Sequence, residues 1–116
     1  MPDPLEEIEF LARSPNRLRV LETLSSDSHT RGELQEAVGA SQPTLARILR
    51  DFEERRWVAQ NGGSYETTPL GAFVASGFGS LLSVMKTEAR LRDVIEWLPV
   101  EQFDFGLERL DDAEIT

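Results

Sequence analysis

Apolar residues recur at three- and four-residue intervals along most of the chain, the spacing that allows a helix to bury one face. This spacing predicts a helix over residues 5–12 and a second helix that Ser14 caps and Pro15 opens. A polar loop over residues 25–28 follows. The apolar residues at helical spacing in the first helix are Leu5, Ile8, Leu11 and Ala12. The second helix is expected to face the core with Leu18, Val20, Leu21 and Leu24.

A short helix, a glycine turn and a longer helix are predicted next. Thr30 and Glu33 have the spacing of a capping box, in which each side chain accepts a hydrogen bond from the backbone N–H of the other residue. Gly39 is expected to end the short helix in the left-handed conformation, and Ser41 to cap a longer helix that runs to about residue 55. The apolar residues of the short helix are Leu34, Ala37 and Val38.

The second half of the chain begins with a predicted hairpin. Strand-like segments over residues 57–60 and 64–68 flank residues 61–63, Asn-Gly-Gly, which is a strong signal for a tight turn. Pro69 then opens a long helix that Pro99 ends. The predicted fold class is therefore mainly α with a small β-hairpin.

Residues 30–49 and 57–71 carry a resemblance to a known family. The first segment, TRGELQEAVGASQPTLARIL, resembles the helix-turn-helix of winged-helix transcriptional regulators, and the second resembles their wing. Its last five residues, Thr-Thr-Pro-Leu-Gly, are similar to the strand-to-helix junction of archaeal members. The resemblance implies a winged helix-turn-helix followed by a long C-terminal helix, and a sequence-specific DNA-binding regulator whose partner is double-stranded DNA.

The resemblance also suggests a division of the chain. Residues 1–68 are the expected winged helix-turn-helix DNA-binding domain, and residues 69–98 the long helix, with a role in dimerisation. Residues 99–116 are an acidic tail or the start of a further domain, because larger archaeal regulators of this type place such a domain before a ligand-sensing one.

The helix over residues 42–55 is the predicted recognition helix. Leu45, Ile48, Leu49 and Phe52 share one side of it, so the opposite side is available to DNA. A recognition helix presents its N-terminal half to base edges, and the starts of helices bind phosphates. The predicted DNA-binding residues are Arg31, Ser41, Gln42, Pro43, Thr44, Arg47 and Arg50, with Arg17 and Arg19 as further phosphate candidates.

Several of these residues have a purely structural alternative. Arg47 has Asp51 four positions later, and Arg50 has Glu53 and Glu54 at three and four positions, so both arginines could form local ion pairs. We expect Trp57 and Tyr65 in the core of the hairpin, and His29 as a solvated loop residue.

The net charge is unusual for a DNA-binding protein. The chain has 21 acidic and 12 basic residues, and Lys86 is its single lysine. This composition is typical of extreme halophiles, in which acidic surfaces keep proteins soluble at high salt. Residues 14–60 carry seven basic and seven acidic residues, and the predicted wing tip has no arginine or lysine. Counterion release therefore contributes little, and binding should depend on shape, direct base contacts and dimerisation.

Other functional classes find little support. There is no cysteine and one histidine, which excludes disulfides, thiolate metal sites and cysteine catalysis, and no phosphate loop or nucleophile motif is present. We expect the protein to be cytoplasmic, to have no enzymatic activity and to bind no cofactor or metal. A winged-helix protein-protein interaction module without DNA binding is the alternative. An effector pocket under the long helix, near Trp57, Phe73, Phe78 and Trp97, is conceivable, but no ligand is indicated.

The long helix is the one segment that requires a membrane test. Residues 67–85 carry no charge, but they include a proline, three glycines and three serines, and their apolar part is shorter than the roughly 20 residues of a membrane span. We expect a helix buried between protein surfaces, and no membrane. Its apolar positions and the small-residue stripe of Gly71, Ala75, Gly79 and Ser83 predict a homodimer with recognition helices roughly 34 Å apart. Packing on its own domain alone is the alternative.

Overall fold

The computed structural model describes residues 1–95, so Trp97, Pro99 and the predicted acidic tail lie outside the described residues. The chain divides after Gly79 into two compact units. Within the described residues the fold class is as predicted, helical with a small antiparallel sheet. The elements are α1 (Pro4–Ala12), α2 (Pro15–Ser26), β1 (His29–Thr30), α3 (Arg31–Val38), α4 (Gln42–Glu54), β2 (Val58–Asn61), β3 (Ser64–Thr67) and α5 (Pro69–Ile95).

The sheet has three strands in the order β1-β3-β2, all antiparallel. The hairpin of β2 and β3 was predicted, but β1 was not. His29, expected in a solvated loop, pairs with Tyr65 in this strand and is half-buried. A strand of two residues has no periodicity, so the sequence pattern carries no signal for it.

The core lies among α1–α4 and the sheet. Trp57 and Tyr65 belong to it as predicted, with 7% and 4% of their surfaces exposed. Four apolar residues of the predicted helices, Leu5, Ile8, Ala12 and Ala37, are exposed. The buried apolar residues are Leu11, Val20, Leu21, Leu24, Leu34, Val38, Ala40, Leu45, Ile48, Leu49, Phe52, Trp57, Val58 and Tyr65.

The ring of Phe10 joins α1 to this core. Its centroid lies 6.2 Å from that of Phe52 and 6.2 Å from that of Trp57. The guanidinium carbons of Arg55 and Arg17 lie 3.7 and 4.0 Å from the same centroid, within the range of cation–π attraction. Because α1 buries few aliphatic residues, the ring of Phe10 and the guanidinium groups of Arg17 and Arg55 hold it against the core.

Hydrogen bonds complete the same cluster. Arg17 donates from Nη1 to the backbone oxygen of Phe10 at 2.8 Å, and Arg55 donates from Nε to Glu7 Oε2 at 2.7 Å. Arg17, suggested as a phosphate candidate, is thus half-buried and bound to Phe10 within the fold.

The end of α4 is a tight reversal of the chain. Arg56 has φ of 62°, in the left-handed region, and its N–H donates to the oxygen of Glu53 at 2.9 Å. The N–H of Trp57 donates to the oxygen of Phe52 at 2.9 Å, and the two rings pack with centroids 5.7 Å apart. This is a Schellman motif with its hydrophobic contact, and an arginine occupies the position that usually holds glycine.

The start of α5 packs against this reversal. Thr68 donates from Oγ1 to the oxygen of Arg56 at 2.5 Å and accepts from the N–H of Gly71 at 3.1 Å. Its own N–H donates to the oxygen of Trp57 at 2.9 Å. A Cβ on Gly71 would overlap that same oxygen, so the close approach requires glycine. Gly71, predicted in a dimer stripe, is thus buried against its own chain.

The long helix α5 contains 27 residues and meets the length and composition of a membrane span. These criteria are weak evidence, because core helices of other proteins also satisfy them. Val74, Ala75 and Phe78 pack on the core. Within the described part of this single chain, 6% of its most apolar stretch is buried.

Replacing Gly71 with alanine should destabilise the protein by about 1–3 kcal/mol, the usual cost of overpacking against atoms that cannot move away. The matched control is Gly77→Ala in the same helix, where a Cβ meets nothing within 4 Å. That variant should be more stable by about 0.5–1 kcal/mol, because alanine is the better helix former. Thermal or urea unfolding measures both, and equal effects would contradict the packing argument.

Replacing Arg56 with glycine should stabilise the protein by about 0.5–1 kcal/mol. The gain is the strain energy that a non-glycine residue has in the left-handed conformation, less the free-energy cost of the larger conformational entropy of glycine in the unfolded chain. Arg56→Ala removes the same charge but keeps the strain, so its free energy of unfolding should not rise. A comparable gain in both variants would assign the effect to the side chain instead of the backbone.

Candidate DNA-binding interface

The helix-turn-helix consists of α3, α4 and the turn between them, and its ends are capped as predicted. Thr30 Oγ1 accepts from the N–H of Glu33 at 3.2 Å, and Glu33 Oε1 accepts from the N–H of Thr30 at 2.8 Å. The hydrogen bond from the backbone N–H of Thr30 is the main reason why the pKa of the Glu33 carboxyl is lowered. Gly39 ends α3 with φ of 77°, which turns the chain into α4.

At the start of α4 the two hydroxyl side chains bond to each other. Ser41 Oγ accepts from the N–H of Thr44 at 3.3 Å and donates to Thr44 Oγ1 at 2.9 Å. Thr44 is half-buried, whereas Ser41, Gln42 and Pro43 are exposed. Because Pro43 has no N–H, the backbone donor that this helix start offers to a phosphate is the N–H of Gln42.

The outer face of α4 carries Arg47 and Arg50, both exposed and both on the side opposite the buried apolar residues. Neither forms an ion pair with a carboxylate in the described part of the chain, so the alternative pairs with Asp51, Glu53 and Glu54 are not formed there. Glu53 and Glu54 remain exposed. The face can therefore present two guanidinium groups to an anionic surface.

A second contact crosses the helix-turn-helix. Gln42 donates from Nε2 to Gln35 Oε1 on α3 at 2.6 Å. Gln42 is exposed and is the first residue of α4, while Gln35 is half-buried. Gln42 was predicted to contact bases, but Gln35 was not identified, since only the packing of α3 against α4 brings the two amides together.

Arg31, the first residue of α3, is held by the sheet. Its Nη2 donates to Tyr65 Oη on β3 at 3.0 Å, and Tyr65 is buried. A cation at a helix N-terminus is unfavourable for the helix dipole, which a phosphate at the same place would offset. A guanidinium has five N–H donors, so one bond to Tyr65 leaves others for a ligand. Tyr65 is 34 positions from Arg31, and the sequence carried no signal for this pair.

The wing is short and carries no positive charge at its tip. Gly62 and Gly63 form the two-residue turn, with φ of 58° and 88°, the conformation that hairpin turns favour. Gln60, Asn61 and Glu66 are the exposed residues beside the turn. The wing can therefore approach DNA with amides and backbone groups, but not with a guanidinium.

Residues 1–95 give no support to a metal site or to the suggested effector pocket. No group of three or more histidine, aspartate or glutamate residues there is arranged to hold a metal ion. Of the aromatic residues suggested for an effector pocket, Trp57 packs in the core and Phe73 is 76% exposed.

Several solved structures have the same fold. A MarR-family transcriptional regulator from Enterococcus faecalis is 23% identical with a TM-score of 0.67, and the match covers 80% of this chain and 94% of that one. Quinone-bound YodB from B. subtilis is 19% identical with a TM-score of 0.64, covering 72% and 96%. MepR from S. aureus in complex with DNA is 17% identical with a TM-score of 0.58, covering 82% and 90%.

These similarities establish the winged-helix fold. The MarR-family protein and MepR are described as transcriptional regulators. No curated protein sequence matches the chain. One family model matches residues 5–90, and on that match the chain belongs to the HVO_A0261 N-terminal domain family.

Proposed function

We propose that the chain is a sequence-specific DNA-binding transcriptional regulator that recognises the major groove with α4. The observation that carries the proposal is the exposed face with Arg47 and Arg50, which form no ion pair with the described carboxylates. Exposed arginines opposite a buried stripe match the geometry with which a recognition helix meets base edges. The fold shared with transcription regulators, one of them solved with DNA, supports the same function.

Each predicted residue has a role in this proposal. Gln42, Arg47 and Arg50 contact base edges, since arginine pairs with guanine and glutamine with adenine. Thr44 is a further base reader in this proposal, and Pro43 contacts DNA at the same start of the helix. The N-terminus of α4 that Ser41 caps and the guanidinium of Arg31 bind phosphates, which fixes the register of the protein on the duplex.

The acidic charge shapes how this regulator binds. Two of its arginines, Arg17 and Arg55, are engaged with Phe10, and the wing tip has no cation. Few phosphates can then be neutralised, so the affinity should fall only slightly as salt rises. The 21 acidic residues and single lysine support a halophilic, archaeal source, and the lack of cysteine agrees with a cytoplasmic site of action.

A homodimer is part of the proposal. In the second unit, large apolar side chains of α5 are exposed, from 42% for Leu81 to 60% for Val84. A second α5 would cover them and place two recognition helices roughly one DNA turn apart. Met85, Leu91 and Val94 are exposed on the same helix.

Replacing Arg47 with alanine should weaken binding to the preferred duplex about 10- to 100-fold, the usual value of one arginine–guanine pair. Fluorescent duplexes from the region upstream of the gene are titrated with protein in potassium chloride of about 1–2 M, which suits an acidic protein. Arg13→Ala is the matched control, because Arg13 is exposed at the end of α1 and pairs with Glu9. It should bind as the unsubstituted protein does.

The opposite result would identify a different function. If the folded protein binds none of the duplexes selectively, the protein-protein interaction module becomes the better hypothesis, since winged helices also serve as scaffolds. If Arg13→Ala weakens binding as much as Arg47→Ala, net charge and not the face of α4 governs the affinity.

Replacing Tyr65 with phenylalanine should weaken binding to all duplexes about fivefold, because Arg31 loses the hydrogen bond that holds it, worth roughly 1 kcal/mol. Arg31→Ala should weaken binding at least as much, and the double variant no further than Arg31→Ala alone. Anisotropy titrations of the four proteins measure this cycle. Additive effects would show that Tyr65 supports the fold without acting through Arg31.

A further inference from the structure

We propose that Gln35 is a positioning residue, which orients the amide of Gln42 so that α4 selects adenine and rejects guanine at one base pair. The inference rests on the proposed function, and it adds a residue and a base preference. It starts from the hydrogen bond of 2.6 Å between Gln42 Nε2 and Gln35 Oε1.

The position of the pair suits this role. Gln42 is exposed at the end of α4 that a recognition helix presents to the bases. Gln35 is half-buried in the middle of α3, whose two ends are held by the capping box and by Gly39. A side chain anchored on a capped helix can therefore restrict a more mobile one at the DNA surface.

The chemistry of a primary amide gives the preference. Gln42 has two N–H donors on Nε2 and one acceptor, Oε1. With one N–H directed to Gln35, it presents one donor and one acceptor outward. Adenine offers the complement on its major-groove edge, since N7 accepts and the N6 amino group donates.

Guanine does not fit the same arrangement. Its N7 and O6 both accept, so a glutamine could satisfy them only by turning both N–H groups of Nε2 toward the base. The bond to Gln35 occupies one of these N–H groups, and Oε1 of Gln42 would then face O6, acceptor against acceptor. The pair thus acts against guanine as well as for adenine.

Two substitutions of Gln35 separate this role from packing. Gln35→Glu keeps an acceptor for Nε2 of Gln42 and cannot donate, so it enforces the same orientation. Gln35→Met has a similar size and helix propensity but offers no comparable acceptor. If Gln35 contributed only to packing or charge, Gln35→Met would be tolerated and Gln35→Glu would be harmful, because a carboxylate repels phosphates. For the ratio of adenine to guanine affinity, the proposal predicts the reverse: Gln35→Glu is tolerated and Gln35→Met is harmful.

The experiment selects binding sites from a randomised duplex library. The contacted base pair is the one whose preference disappears in Gln42→Ala, and dissociation constants are then measured with adenine or guanine at that pair. We expect the unsubstituted protein to prefer adenine about tenfold. Gln35→Glu should keep this ratio while affinity for every duplex falls, and Gln35→Met should reduce the ratio below about threefold while preferences at other pairs stay unchanged.

Other outcomes overturn the inference. A preference for guanine at that pair would mean that the hydrogen bond runs in the other direction, from Gln35 to Gln42. An unchanged adenine ratio in Gln35→Met would mean that Gln42 orients itself. Selective binding that depends on Arg47 but on neither glutamine would remove this inference and keep the proposed function, whereas an absence of selective binding would remove both.

Discussion

The carbonyl group of Trp57 is the point at which three elements of the winged helix meet. Trp57 closes the reversal at the end of α4, and its backbone oxygen accepts a hydrogen bond from the N–H of Thr68 at the start of α5. The first turn of α5 can approach this oxygen only because Gly71 has no Cβ. The hydroxyl of Thr68 donates to the neighbouring carbonyl of Arg56, so the end of α4 and the start of α5 share one small hydrogen-bonded junction.

This junction accepts strain at one residue. A left-handed arginine is less favourable than glycine, yet Arg56 takes that conformation because the chain must reverse between the buried rings of Phe52 and Trp57. The contact between these rings and the two reversal hydrogen bonds offset the cost. Local conformational preference is thus overridden by packing.

Five of the arginines form two groups with different tasks. Arg17 and Arg55 lie over Phe10 and hold α1 against the core, where their charge is partly shielded by aromatic rings. Arg31, Arg47 and Arg50 are exposed around the helix-turn-helix. In an acidic chain with few cations, three exposed arginines thus lie on the surface that we propose to face DNA. Side chains there are also oriented by neighbours, as Arg31 is by Tyr65 and Gln42 by Gln35, which lowers the entropy lost on binding.

The order of the elements, both caps of the helix-turn-helix, the hairpin turn and the buried side of α4 were predictable from the sequence, because each depends on residues within about one helical turn of one another. The outer positions of α4 followed from the same periodicity. Tertiary structure alone decided the strand at His29, the role of Phe10, and the contacts of Arg31 and Gln42, since these join residues on different elements. The exposure of Leu5 and Ile8 was decided in the same way. Periodicity shows which face of a helix is apolar, but whether that face is covered depends on the neighbouring elements, and their placement is not encoded in any local pattern.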